Sequence, residues 1–578
     1  MVVFMTNISV INANSKKDFQ SIDVSPNTNI IFILTRELNR EKFLKFSIFS
    51  KSEAVANKIF QTNVKKLRKE FNNQLDTIAE KISIKWEATR TAESNILVNN
   101  FYRNIVMCQT VEDLLIDGLN NLIITDVDEL IYVFSKKNHF QRLYQLSFQN
   151  IINIYKMTKD ILKFCVHFCF SKIISLLFPR VLSDIIIHTF PNLNFKPGEA
   201  YDETYFPGVK EFYNSNKKTT SFLLSNTPLN PYKLFKFMNS QDFLVFNEYK
   251  FYSFFDLLRA IYWYLELFFL NPKTFSINNH NFLKCFEISH KKYGLDFDVL
   301  STLLRYQLFI KIAKTGYKPE LLLLEFEGMI IEKMLIAGLR ESKITTKVFG
   351  YQHMAVFDNM MCNFFTPYQI LYGLLPDKII CSGEIYRDLY AENKIPPEKL
   401  HVGPALRYNH IYTLETKVNL ENNTILVFLP SNIEDCRFII NTLKQNFVSN
   451  RIIFKPHPKS SMNRISSIAK GLDYKIENKS ISALLSEYST VISMNSGALL
   501  DAALIGNYVI KLSRPFYIDL DPLFRNTDLR VEVDTPAELL DAINKFPLQS
   551  KESRLELDLI KKEYFNPITK VFMEIFLP

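Results

Sequence analysis

At 578 residues, with 47% hydrophobic and 22% charged, the chain is too long for one core and too apolar for a disordered one; two or three globular domains are expected. A formal charge of +9 is modest at this length; it suits anionic substrates or an anionic membrane surface, and no Lys/Arg-dense block marks a nucleic-acid partner. Seven cysteines without a CxxC pair argue against a disulfide framework and for a reducing compartment.

The first residues, Met1-Val2-Val3-Phe4-Met5, lack the basic start and apolar run of a signal peptide. Residues 29–35 predict a buried strand between Pro26-Asn27 and a polar helix start, and residues 51–86 predict a long helix. Within 121–134, residues 122–125 read as a strand and 130–134 as either a helix or a second strand. Residues 151–182 read as helical, interrupted by Lys156, Lys159, Lys163 and Lys172; residues 251–270 carry Asp256, Arg259 and Glu266. Neither stretch offers the ~20 nearly uncharged apolar residues of a membrane span. Two readings stand: core helices, or a cationic, aromatic surface lying on the inner membrane. Cys165, His167, Cys169 and His188 are metal-ligand types, but they lie in or beside this apolar run, where buried cysteine is the common outcome; no metal is expected.

Further strands are predicted at 184–190, 221–225, 321–328, 347–353 and 378–384, with helical spacing over 240–271 and 282–313. A second set follows at 424–429, 451–454, 490–493, 508–511 and 529–533, then a helix with Thr535 as N-cap, Pro536 at N1 and Glu538 closing a capping box. The polar stretch 417–423 marks a boundary. The alternation gives an α/β fold: two Rossmann-like, doubly wound domains, 181–416 and 417–578, face a cleft, and residues 1–180 form an extra α/β region.

The strand at 451–454 runs into Lys455-Pro456-His457-Pro458, and that at 490–493 into Met494-Asn495-Ser496-Gly497 and a helix that Gly506 would stop. Ligands of open α/β sheets bind beyond such strand ends. Ser496 is a natural N-cap, and the helix start offers backbone N–H groups to a phosphate. Lys455 adds a point charge and His457 a hydrogen bond or a proton, unless His457 only caps its strand. Lys455, His457, Pro458, Ser493, Asn495, Ser496 and Gly497 are thus expected to hold a nucleotide. Gln352, His353, Ser382, Gly383 and Arg407 are expected on the opposite wall, with Arg407 matched to a carboxylate. Glu327, before a glycine at the end of an apolar strand, is the first choice for a catalytic carboxylate, ahead of Asp202 and Glu325. Asp202 would act as base or nucleophile; the structural alternatives are a helix cap at Glu327 and loop ordering at Asp202.

Lys455-Pro456-His457-Pro458 followed by Ser493-Met494-Asn495-Ser496-Gly497, in the second of two Rossmann-like halves, resembles the GT-B glycosyltransferases that use CMP-activated acid sugars, the bacterial sialyltransferases and Kdo transferases. Residues 201–208, Glu327-Gly328 with Glu332, Gly350-Tyr351-Gln352-His353, and residues 403–408 are similar to a surface-carbohydrate biosynthesis family of that kind. The resemblance spans residues 184–546. Two positions depart from it: the acids Glu325 and Glu327 are separated by Phe326, and Met354 follows Gln352-His353 where that pattern has a small residue. The resemblance implies transfer of a 3-deoxy acid sugar (Kdo, sialic or another nonulosonic acid) from a CMP donor to a capsule or lipopolysaccharide glycan. It implies a glycan or lipid-linked glycan acceptor; no metal or other cofactor is expected, and the cysteine pattern with the cationic, aromatic stretches leads to the expectation of a place in the cytoplasm or on the inner face of the membrane. Two alternatives stand beside it: a CDP-alditol phosphotransferase-like polymerase, and a non-catalytic scaffold of polysaccharide assembly.

Overall fold

Runs such as Ile185-Ile186-Ile187, Leu321-Leu322-Leu323-Leu324 and Ile425-Leu426-Val427-Phe428-Leu429 are buried at every position, as strands of a parallel sheet covered on both faces must be. The computed structural model describes residues 7–14, 28–43, 47–134, 139–191, 203–225, 235–236, 238–239, 244–278, 280–414, 424–445, 452–544 and 551–578. The strands are β1 (Asn7–Asn12), β2 (Thr28–Ile33), β3 (Asn120–Thr125), β4 (Ile185–Thr189), β5 (Thr220–Leu224), the two-residue β6 (Ser276–Ile277) and β7 (His280–Asn281), and β8 (Leu321–Glu325). They continue with β9 (Lys347–Tyr351), β10 (Lys378–Cys381), β11 (Leu400–Val402), β12 (Ile425–Leu429), β13 (Ile452–Pro456), β14 (Tyr474–Ile476), β15 (Thr490–Ser493), β16 (Tyr508–Leu512) and β17 (Val531–Val533).

Apart from the antiparallel β6–β7 pair, every sheet is parallel. A small one runs β1-β3-β2; the first large sheet runs β5-β4-β8-β9-β10-β11, and the second β14-β13-β12-β15-β16-β17. In each large sheet the chain starts at an interior strand, builds one side and then reverses to build the other. The reversals fall between β4 and β8 and between β12 and β15, where open α/β sheets form their ligand crevice. This is the expected pair of Rossmann-like, doubly wound domains, the GT-B arrangement.

Several elements differ from expectation for local reasons. The helix expected over 240–271 is shortened to Phe254–Phe268, because Ser253 and Asp256 form a capping box at its start. Residues 244–246 run alongside β5, with Phe222 N–H bonded to Leu244 C=O and Phe246 N–H to Phe222 C=O, each at 2.8 Å, and Glu248–Lys250 form a 3-10 turn; residues 240–243 lie outside the described residues. Residues 130–134 belong to a helix, Asp128–Phe134. The boundary stretch 417–423 and Arg451 lie outside the described residues.

The N-terminal region does not stand apart. Its helices Ser47–Ile82 and Phe101–Leu114 share a core with the first half, where Phe71 and Phe101 pack on Phe275 with ring centroids 6.1 and 5.4 Å apart. Arg90 forks between Glu93, Asp296 and Asp298. The same region also grips the second half: Arg103 Nε donates to Phe516 C=O (2.7 Å), Gln61 Nε2 to Tyr517 C=O (2.9 Å), and Arg514 reaches Thr35 C=O while pairing with Asp435. At the other end, the segment after Lys551 crosses back from the second half. Asn566 N–H donates to Ser382 C=O (2.8 Å), Ala405 N–H to Asn566 C=O (2.9 Å), and Tyr213 hydroxyl to Phe576 C=O (2.7 Å). Both termini therefore tie the two halves together.

Candidate functional site

Three loops leave the carboxyl edge of the second large sheet at its reversal: Pro430-Ser431-Asn432 after β12, His457-Pro458 after β13, and Met494 to Gly497 after β15. They line a cavity of about 750 Å³ that Met354 and Phe357 of the first half, and Asn100 and Arg103 of the N-terminal region, complete. Lys455, His457, Pro458, Ser493, Asn495, Ser496 and Gly497 all line it. Phe428, Leu429, Ile481, Ile518 and Leu520 supply an apolar part large enough for a nucleoside.

The helix Gly497–Leu504 begins as its sequence requires. Ser496 is extended and its Oγ accepts from Ala498 N–H (3.2 Å); at the far end Gly506 takes φ 86°, which suits a residue without Cβ. Ser496 N–H and Gly497 N–H have no hydrogen-bond partner among the described residues. A Cβ placed on Gly497 would meet nothing within 4 Å, so the helix start is open to a ligand.

His457 N–H is anchored on Leu429 C=O (3.0 Å), and its Nδ1 accepts from Lys459 N–H (3.1 Å). An accepting Nδ1 puts the proton of the neutral ring on Nε2. Desolvation, with the Lys459 charge beside it, lowers the imidazole below its usual range, so near neutral pH His457 offers a neutral Nε2–H donor. Lys455 is half-buried and has no carboxylate partner among the described residues. Ser493 Oγ is buried and donates to Phe428 C=O (2.9 Å), tying β15 to β12 across the reversal. The Asn495 amide is best satisfied donating to Asp519 (3.1 Å) and accepting from Leu520 N–H (3.3 Å), which fixes the loop behind the cavity.

Arg103 was not expected. One of its guanidinium nitrogens is buried without a partner, and burial, with the Arg514 charge nearby, lowers its pKa. No motif marks it; only the docking of helix Phe101–Leu114 on the loop at 516–517 brings it to the cavity. Ser431 and Asn432 were also missed, although their place after a buried strand at the reversal is the signal that could have found them.

A second cluster sits at the reversal of the first large sheet. Glu325, ending β8, accepts from Phe190 N–H (2.8 Å) beyond β4, and its other oxygen is buried without a partner. Burial, reinforced by the Glu327 charge, pushes Glu325 well above the carboxylate range. Glu332 accepts from the N–H groups of Glu327 (3.1 Å) and Gly328 (2.9 Å), and burial beside Glu327 raises it too. The turn is therefore capped by Glu332, not by Glu327. Glu327 instead lies 2.8 Å from His353 Nε2. Burial lowers the His353 pKa despite Glu327, and Arg407 adds to the lowering. Tyr205 stands edge-on to His353 (4.8 Å), and Arg407 lies over the Tyr205 ring (4.8 Å).

Of the five residues expected on the opposite wall, none lines the 750 Å³ cavity; Met354, next to His353, does. Gln352 and Ser382 are fully buried, with Gln352 Oε1 accepting from Ser382 N–H (2.8 Å) and Oγ (2.9 Å). Gly383 lies under the C-terminal helix, where a Cβ would meet Tyr564 C=O at 2.1 Å. His353 and Arg407 belong to the acidic cluster. Asp202 lies outside the described residues. Among the described residues no group of three His, Cys, Asp or Glu is placed to hold a metal.

No protein-family model matches the chain, and no curated protein matches it. Among solved structures it is similar to the UDP-GlcNAc 2-epimerase of Methanocaldococcus jannaschii in complex with UDP-GlcNAc and UDP, at 13% identity and a TM-score of 0.35, over 65% of this chain and 98% of that one. Others are MurG of Acinetobacter baumannii (11% identity, TM-score 0.37, 69% of this chain and 98% of that one) and HepE of Anabaena in complex with UDP and glucose (12%, 0.35, 66% and 96%).

Proposed function

We propose that the protein is a glycosyltransferase that moves a sugar from a nucleotide donor to a glycan, with a CMP-activated 3-deoxy acid sugar as that donor. The observation that carries this reading is the cavity at the β12/β15 reversal. There an apolar pocket adjoins two free backbone N–H groups, an unpaired lysine and a neutral histidine donor. Such a set receives a nucleoside on one side and its phosphate on the other.

As the bond between sugar and phosphate breaks, negative charge grows on the departing phosphate. Lys455, His457 Nε2–H and the N–H groups of Ser496 and Gly497 would stabilise it more than they stabilise the intact donor, which is what lowers a barrier. Glu327, hydrogen-bonded to His353, would accept the proton of the attacking glycan hydroxyl. Arg407 has no carboxylate partner among the described residues and would pair with the sugar's acid group. The choice of CMP, and of a bacterial surface glycan as acceptor, rests on the motif resemblance around His457 and Ser496.

Nucleotide release from CMP-acid sugars, CDP-alditols and UDP-sugars tests the reading. CMP release that depends on His457 is expected. Release from a CDP-alditol or a UDP-sugar instead would reassign the donor, and binding of none of the three would make the chain a scaffold.

A further inference from the structure

The long helix His139–Leu176 is apolar on its outer face as well as its inner one. Toward the protein it turns Phe164 and Phe168 but also Asn153, Ser171 and Ser175, all buried. Outward it presents Tyr155, Leu162, Val166, Phe170, Ile173 and, just past its end, Leu177, each between 49% and 69% exposed. These positions recur at intervals of three, four and seven, so they form one stripe. The neighbouring helix Phe254–Phe268 repeats the pattern: Phe255 is 81% exposed, with Leu258, Tyr262 and Phe269 in the same row. The two helices touch through Phe168 and Phe254 (5.7 Å), and Lys172 donates to Tyr249 C=O (2.7 Å) and Tyr252 C=O (2.5 Å) at the entry to the second helix. Two exposed apolar rows thus lie on adjacent elements, far more than scattered surface residues require.

The fully exposed charges of the two helices and the residues just after them are all cationic. Lys159, Lys163, Arg180 and Arg259 are exposed. The carboxylates of the two helices are withdrawn: Asp256 is buried and paired with Lys311 (2.7 Å), Glu266 is paired with Lys85 (2.6 Å), and Asp160 is half-buried. Among the described residues no helix is long and apolar enough to cross a membrane.

We infer that this helix pair is a docking surface for an anionic lipid bilayer, lying in the interface with its aromatic and aliphatic rows in the acyl boundary and its lysines at the headgroups. A second copy of the chain is a poorer occupant, because a two-fold contact would oppose cation to cation. The inference is independent of the reaction proposed above.

Co-sedimentation of the full chain with vesicles tests it. Pure phosphatidylcholine vesicles are compared with vesicles containing about one quarter phosphatidylglycerol, at low and high salt. The chain is expected to sediment with the anionic vesicles at low salt and to leave them as salt rises. The combined variant Leu162→Glu, Phe170→Glu, Phe255→Glu should weaken binding by about tenfold or more, with an unchanged far-UV circular dichroism spectrum. A second variant, Lys159→Gln with Lys163→Gln, leaves the apolar rows intact and should cost about fivefold per charge. No binding to anionic vesicles, or full binding by the triple Glu variant, overturns the inference. A concentration-dependent dimer that the triple variant abolishes, seen by analytical ultracentrifugation without vesicle binding, overturns it in favour of a second copy.

Discussion

Replacing Lys455 by methionine keeps an unbranched aliphatic stem of similar length and removes the charge. In the cavity this ammonium has no carboxylate partner among the described residues, so its loss leaves no buried ion behind. A charge-assisted hydrogen bond to a phosphate contributes about 1.5–3 kcal/mol. Lys455 is half-buried rather than enclosed, so water and salt screen it and the lower end applies. About 1.5 kcal/mol is a little more than tenfold in affinity. The assay is isothermal titration with CMP, run in parallel with cytidine, which fills the apolar pocket without a phosphate. Lys455→Met is expected to raise the Kd for CMP about tenfold and leave cytidine unchanged, and the difference should shrink near 1 M salt, where the Debye length is about 3 Å. An equal loss for both ligands would mean that the variant damages the pocket. No loss for either would refute the placement of the phosphate.

The remaining predictions concern other parts of the molecule. Glu327→Gln should lower transfer by about 10²-fold or more with CMP affinity unchanged; retained turnover would remove Glu327 from the mechanism. Glu87 is fully buried, hydrogen-bonded to Gln369 (2.7 Å), and raised by burial from 4.5 to about 7. An acid raised on folding destabilises progressively as pH climbs from its unfolded pKa to its folded one, so Glu87→Gln should match the wild type near pH 5 and exceed its stability near pH 8 by on the order of 1–3 kcal/mol in urea unfolding. A variant less stable near pH 8 contradicts this. Gly383→Ala would drive a Cβ to 2.1 Å from Tyr564 C=O and 2.4 Å from Glu563 C=O, backbone atoms that cannot rotate away. It should cost at least ~1–3 kcal/mol and expose the C-terminal segment to limited proteolysis; unchanged protection would place that helix elsewhere.

What the sequence disclosed follows from how local each signal is. Uninterrupted apolar runs at β4, β8 and β12 need no partner to be recognised, and Thr535 with Glu538 forms the expected capping box, with Glu538 N–H on Thr535 Oγ1 at 3.2 Å. The short edge strands β11 and β14, three residues each, were not foreseen, because so few residues carry no period. At the site, the loops after β13 and β15 were legible because a strand, a turn and a capped helix are contiguous in the chain. The wall supplied by Arg103 and Asn100 was not, since it depends on a helix docking on a loop 413 residues further along the chain, counted from Arg103 to Phe516. Gln352 and Ser382 show the opposite case. Polar residues at strand ends are expected to face a ligand, but here they satisfy one another in the interior.

A structure of the protein with CMP bound tests the phosphate site at the β12/β15 reversal directly. The cytosine and ribose are expected against Phe428, Ile481 and Ile518, and the phosphate within about 3 Å of the N–H groups of Ser496 and Gly497, with Lys455 and His457 Nε2 completing its contacts. CMP bound away from the β12/β15 reversal, or seated there with its phosphate turned from Ser496, would contradict it.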